Sequence, residues 1–318
     1  MPPTIRKWLF PAAKLCLVAL VAWGIHRTAW SAWETLQDKH WNPSPLWPAW
    51  LVLAAGLSVL GMLPPGLFWH RLLVMLGQPA QRGEALRAYY IGHLGKYAPG
   101  KAMVIVLRAG LLRAGGTTAT AATVAVFYET LTTMSAGMFW TLAILALRFP
   151  GEWKWTLSAA GLLAVVATPT VPCIFRRLAR LSGAGKFDPS AAERLGQLGF
   201  GTVGAAWAVL GVGWLLQGAA LWATLAAGGY TSSLATFDQV LICTAAMALA
   251  VVGGFLSFVP GGFVVREALL LELLGPRFGL AGALVAAVLV RLVGIAGELV
   301  VAGVLWWFAP RGTMQNET

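Results

Sequence analysis

Charge is what this sequence has least of. Its 318 residues include 23 Lys or Arg and 12 Asp or Glu, so 11% are charged, against about a quarter in a soluble domain. That is too few to cover a water-facing surface, which excludes a soluble globular fold. A hydrophobic content of 58% excludes disorder as well. Cysteine is equally scarce. Cys16, Cys173 and Cys243 stand singly with no CxxC pair, which excludes a zinc ribbon and a disulfide framework. The four histidines are scattered without HExxH spacing. There is no Walker loop, no GxSxG, and no Asp pair spaced for metal-dependent sugar or phosphate transfer; Asp188 and Asp238 are isolated. The chain is therefore expected not to be an enzyme and to carry no cofactor or metal.

Long uncharged runs fill the space left by the missing charges. None of the four charged residue types occurs between Lys154 and Arg176, between Arg194 and Asp238, or between Asp238 and Arg266, and Glu129 alone interrupts the stretch from Arg113 to Arg148. Each run can hold a span of about 20 residues. The pattern predicts an all-α, polytopic membrane protein forming one transmembrane domain over 1–318. A first half reaches about 175, a basic cytoplasmic loop fills 175–199, and a second half runs from about 200 to 310. Spans are expected at 8–28, 47–75, 117–147, 155–174, 201–226, 236–257 and 279–309, seven in all, or eight if one of the long ones is broken. Arg6 and Lys7 resemble a signal-peptide n-region, but Lys14 interrupts the start and the cleavage-like site near Ala29 is weak, so 8–28 reads as a retained span. Pro64-Pro65-Gly66 should bend or break the second span.

The net charge of +11 does not point to nucleic acid. The basic residues cluster between apolar runs, which is the positive-inside pattern and also suits anionic headgroups. It places the N-terminus in the cytoplasm and the protein in the cytoplasmic membrane.

Two segments break the simple pattern. Residues 88–112 are apolar enough to enter the bilayer yet carry Lys96, Lys101 and Arg108 around Pro99-Gly100, and 256–275 carry Arg266 and Glu267 after Pro260-Gly261-Gly262. Irregular backbone survives at membrane depth only where protein or a wet cavity satisfies it, so both read as re-entrant elements. Each precedes a long span with a buried ionisable residue: Glu129 lies 30 residues after Pro99, Arg291 lies 31 after Pro260. This is an internal repeat, and interrupted segments at matching positions point to a transporter site near the midplane. Alternating the spans puts both elements on the cytoplasmic side, whereas an inverted repeat would separate them.

Charges inside a span are costly and need partners. The expectation is that Glu129 pairs with Arg291 across the halves. Arg291 and Glu298, seven residues apart, share a helix face. Arg266 and Glu267, being neighbours, should point apart. Lys96, Lys101, Arg108 and the helix start after Gly100 suit a phosphate. Tyr89, Tyr90 and Tyr97 could line a headgroup pocket but read first as interfacial anchors, and His93 reads as a hydrogen-bonded pocket wall.

The stretches Gly95-Lys96-Tyr97-Ala98-Pro99-Gly100-Lys101 with Arg108, Glu129 in the next span, and Pro260-Gly261-Gly262-Phe263-Val264-Val265-Arg266-Glu267 with Arg291 resemble the flippase-like family also called the lysylphosphatidylglycerol synthase transmembrane region. Its second motif usually reads Pro-x-Gly-x-Gly-x-x-Glu, and Val264 stands where the second glycine belongs. The resemblance covers roughly 50–310. It implies a lipid-translocating domain. In the bifunctional relatives this region is fused to a soluble aminoacyltransferase domain. No such stretch occurs in these residues, so lipid aminoacylation is not expected. Stand-alone relatives are often associated with glycosyltransferases and polyprenyl-linked sugars. The cargo is then a membrane phospholipid or a polyprenyl-linked glycolipid, with a separate glycosyltransferase as a partner. The competing readings are an integral membrane enzyme acting on lipid-linked sugars, which the shortage of acids disfavours, and a scaffold for a glycosyltransferase.

Overall fold

A computed structural model of the chain describes residues 44–98, 102–181, 193–230, 232–257 and 264–308, together with Trp23, His26, Trp30 and Glu34. The described residues are helical and contain no strand. In chain order the helices are α1 (Trp47–Gly61), α2 (Leu63–Met75), α3 (Arg82–His93), a short 3₁₀ turn (Leu94–Tyr97), α4 (Ala102–Arg113), α5 (Ala119–Arg148), α6 (Trp153–Ala167), α7 (Pro172–Leu181), α8 (Phe200–Ala227), α9 (Thr236–Leu256) and α10 (Val265–Trp307).

Five stretches are long and apolar enough to cross a membrane, and α6 with α7, bent by 61°, makes a sixth if the pair counts as one. They coincide with the expected spans from the second onward. The first, at 8–28, falls outside the described residues apart from Trp23 and His26. The chain is a multi-pass membrane protein.

Local sequence accounts for the interruptions. Pro64 and Pro65 fall in the first turn of α2, where a helix has no use for the missing N–H. Met62 stays right-handed (φ −84, ψ −13), so the prolines end α1 and start α2 within one 29-residue apolar run. Thr118 caps α5, its hydroxyl accepting from the Ala121 N–H at 3.2 Å. α10 is two helices in line of chain: Pro276 precedes Gly279, whose φ of 76 and ψ of 152 are not helical and suit a residue without Cβ. Its arms are α10a (265–278) and α10b (280–307).

Two helical hairpins stand out. α3 and α4 form the first. Its base is closed by the Thr118 N–H donating to Gln78 Oε1 at 2.9 Å, so the chain enters and leaves it at one end of the bundle. Its arms touch backbone to backbone: a Cβ at Gly95 would lie 2.7 Å from the Val104 nitrogen, and one at Gly92 would lie 2.5 Å from Arg108 Cγ. α9 and α10a form the second. Its base is tied by Arg148 to Asp238 (2.7 Å) and Arg277 to Glu152 (2.6 Å), and residues 148 and 152 flank the turn between α5 and α6. Since α5 starts at the first base and ends at the second, the hairpins open at opposite ends of the bundle. Of the two arrangements that the sequence left open, one end or opposite ends, the bundle has the second. Counting alternations treats 236–257 as a simple crossing, but α10a returns to the end from which α9 started. Asp238, isolated in the sequence, is thereby paired.

Candidate functional site

The first group of buried charges lies inside the first hairpin and its neighbours. Arg108 Nη1 donates to Glu129 Oε2 at 3.0 Å, with both side chains almost fully buried. Thr133 Oγ1 donates to Glu129 Oε1 at 3.2 Å, and the Tyr89 hydroxyl lies 3.4 Å from the same oxygen. The guanidinium carbon sits 3.9 Å from the Tyr89 ring centroid and 5.3 Å from that of Trp69, within cation–π range. Arg108 Nε has no partner among the described residues.

The second group joins the two hairpins. Lys96, on the 3₁₀ turn at the tip of the first, donates to Glu298 Oε1 at 2.5 Å. The Tyr97 hydroxyl donates to Glu298 Oε2 at 3.1 Å, and His93 Nε2 lies 3.9 Å from Oε1. Arg291, two turns before Glu298 on α10b, pairs at 2.8 Å with Glu267 at the start of α10a. Arg266 reaches Met247 Sδ on α9 at 3.3 Å, and its charge, like that of Arg291, acts on Lys96 and Tyr97. Three cations (Lys96, Arg266, Arg291) thus gather with two carboxylates (Glu267, Glu298).

The structure therefore brings together Lys96, Arg266, Glu267, Arg291 and Glu298, and sets Arg108 and Glu129 beside them. The expected Glu129–Arg291 pair does not form. Glu129 is taken by Arg108, because Gly92 lets α4 close on α3 and turns the guanidinium toward α5; Arg291 is taken by Glu267. Arg266 and Glu267 take different partners, Met247 Sδ and Arg291. Pro99, Gly100, Lys101, Pro260, Gly261 and Gly262 lie outside the described residues. Tyr89 and Tyr97 line the charge groups, and Tyr90 is committed to the Val59 carbonyl at 2.9 Å. Sequence reasoning missed Trp69 and Met247; both lie on apolar stretches with no local mark of their contact to an arginine. Two small cavities, one lined by Leu72, Tyr128 and Arg194 and one by Glu84, Arg87 and Leu111, include none of the cluster residues.

Val264, at the start of α10a, has φ 69 and ψ −52, the single positive φ outside glycine among the described residues. A β-branched residue is strained there. Compared with known proteins, residues 9–309 match the family model described as the lysylphosphatidylglycerol synthase TM region. No individual curated protein matches the chain.

Proposed function

The chain belongs to the lysylphosphatidylglycerol synthase TM region family, and from that premise we propose that it is a lipid translocator, in which the two hairpin tips hold an anionic or polyprenyl-linked headgroup while the tails stay in the bilayer. The observation that supports this most is the meeting of Lys96 from one hairpin with Arg266 and Glu267 from the other around Arg291 and Glu298. Buried charge in an apolar bundle is costly and marks substrate paths. Hairpins that open at opposite ends offer such a site a route to either face.

Depth agrees with that reading. Glu298 precedes Trp307, the end of α10, by nine residues, about 14 Å of helix, or roughly half of a 30 Å hydrocarbon core. The exposed Trp306 and Trp307 suit an interface. Both hairpins are then re-entrant, and together they form an inverted repeat. The end that holds the first hairpin's base carries Arg82, Arg113, Arg176, Arg177, Arg180 and Arg194, so it faces the cytoplasm by the positive-inside rule. The opposite end balances Arg148 and Arg277 with Asp238 and Glu152. α1 starts at that opposite end, since the Ser44 N–H donates to the Ala227 carbonyl; the membrane in this reading is the cytoplasmic one.

With no ATP-binding motif, movement runs downhill or with an ion gradient. The lipid leaves unaltered, so the protein is not an enzyme in this reading. Reconstitution into liposomes with fluorescent phosphatidylglycerol and, separately, a polyprenyl phosphate tests it. Lipid should cross with unchanged mass, and Lys96→Gln should slow it at least tenfold. Altered lipid mass would identify an enzyme, and no movement with unaltered lipid would identify a scaffold.

A further inference from the structure

Glu298 sits where an anionic ligand would. Both of its carboxylate oxygens are engaged from the tip of the first hairpin, one by Lys96 and one by the Tyr97 hydroxyl, with His93 Nε2 behind them at 3.9 Å. Two oxygens of one anion held by an ammonium and a hydroxyl is the arrangement a phosphate takes. The rest of the cluster is short of negative charge. Arg266 has a thioether, a weak acceptor, against its guanidinium. No carboxylate lies within 4 Å of it among the described residues. Among the described residues the cluster holds three cations, Lys96, Arg266 and Arg291, to two carboxylates, Glu267 and Glu298, and the charge of both carboxylates reaches Arg266.

We propose that Glu298 is a resident anion that fills the phosphate seat of Lys96 and Tyr97, and that an anionic headgroup must displace it to bind. The inference deepens the translocation reading, on which it rests only for the source of the anion. The headgroup's phosphate takes Lys96 and Tyr97, and its charge also satisfies Arg266. A zwitterionic phospholipid brings an ammonium into a cluster that already holds surplus positive charge, so anionic lipids are selected.

The test is native mass spectrometry of the full purified chain, titrated with phosphatidylglycerol, with phosphatidylcholine and inorganic phosphate as separate arms. Glu298→Gln should retain phosphatidylglycerol at a concentration at least tenfold lower than the wild type, with phosphatidylcholine unchanged. Lys96→Gln should need at least tenfold more. Glu152→Gln removes the same charge at the base of the second hairpin, where it pairs with Arg277, and should shift retention less than threefold. Equal or weaker retention by Glu298→Gln overturns the proposal, as does an equal gain in Glu152→Gln. If Glu298→Gln does not fold, Glu298→Asp, one methylene short of Lys96, takes its place, with retention above the wild type expected and equal retention overturning the idea. Displacement of phosphatidylglycerol by millimolar inorganic phosphate with the same ranking of variants supports the seat and assigns it to free phosphate. Failure of the wild type to move lipid in liposomes would overturn translocation alone and leave this binding contrast standing.

Discussion

Arg108 is held on three sides, by the Glu129 carboxylate and by the rings of Tyr89 and Trp69. Removing one member of such a dry pair leaves the other charge buried and alone, at a cost of about 3–5 kcal/mol, whereas removing both is far milder. Glu129→Gln and Arg108→Met should therefore each lower the thermal unfolding temperature in detergent, and the double variant should recover most of the loss; additive losses would mean the two act separately. Val264 poses the reverse case. Its positive φ carries strain of about 1–3 kcal/mol, partly offset by the added chain entropy of glycine, about 0.5–1 kcal/mol. Val264→Gly should then stabilise the protein by roughly 1 kcal/mol, read as a rise in unfolding temperature. The charged residues were legible at this scale because charge inside an apolar run is conspicuous. Their partners were not, because Glu129 is compatible with any arginine that packing brings to it.

Among the elements, the hairpins position the buried charges. The first closes because Gly95 lets the 3₁₀ turn lie against the backbone of Met103 and Val104. A methyl there meets backbone atoms, which cannot swing aside as a long side chain can. Gly95→Ala should push α3 and α4 apart, displace Lys96 from Glu298 and reduce lipid movement in liposomes at least tenfold, while Gly83→Ala, with nothing within 4 Å of its Cβ, should change nothing. The bases are less demanding. Arg148 is largely exposed, and an exposed ion pair contributes under about 1 kcal/mol, so Arg148→Ala should leave the unfolding temperature almost unchanged. Proline and glycine marked the breaks in the sequence. Whether α10a returned to the end from which α9 started was not marked, because a 14-residue arm and half of a crossing read alike.

For the whole molecule, the orientation proposed above rests on the two bases. In a background lacking Cys16, Cys173 and Cys243, a cysteine at Gly151, in the exposed turn between α5 and α6, should react with a membrane-impermeant maleimide in intact cells. One at Arg113, exposed beside the first base, should react only after permeabilisation. The opposite result would invert the topology and place the basic end outside.

Composition alone determined the solvent. A chain with 11% charge has no other way to satisfy its surface than lipid, and its uncharged runs, being the length of a bilayer, determined where most helices lie. Motif residues near the two breaks marked Lys96, Arg108, Arg266 and Glu267, charges that the structure sets within the bundle. Only the tertiary structure decided that Lys96 meets Glu298, that Arg291 meets Glu267, and that the hairpins open to opposite ends. Hydropathy constrains a helix one at a time, whereas pairing and direction depend on which helices pack together, and that is a property of all of them at once.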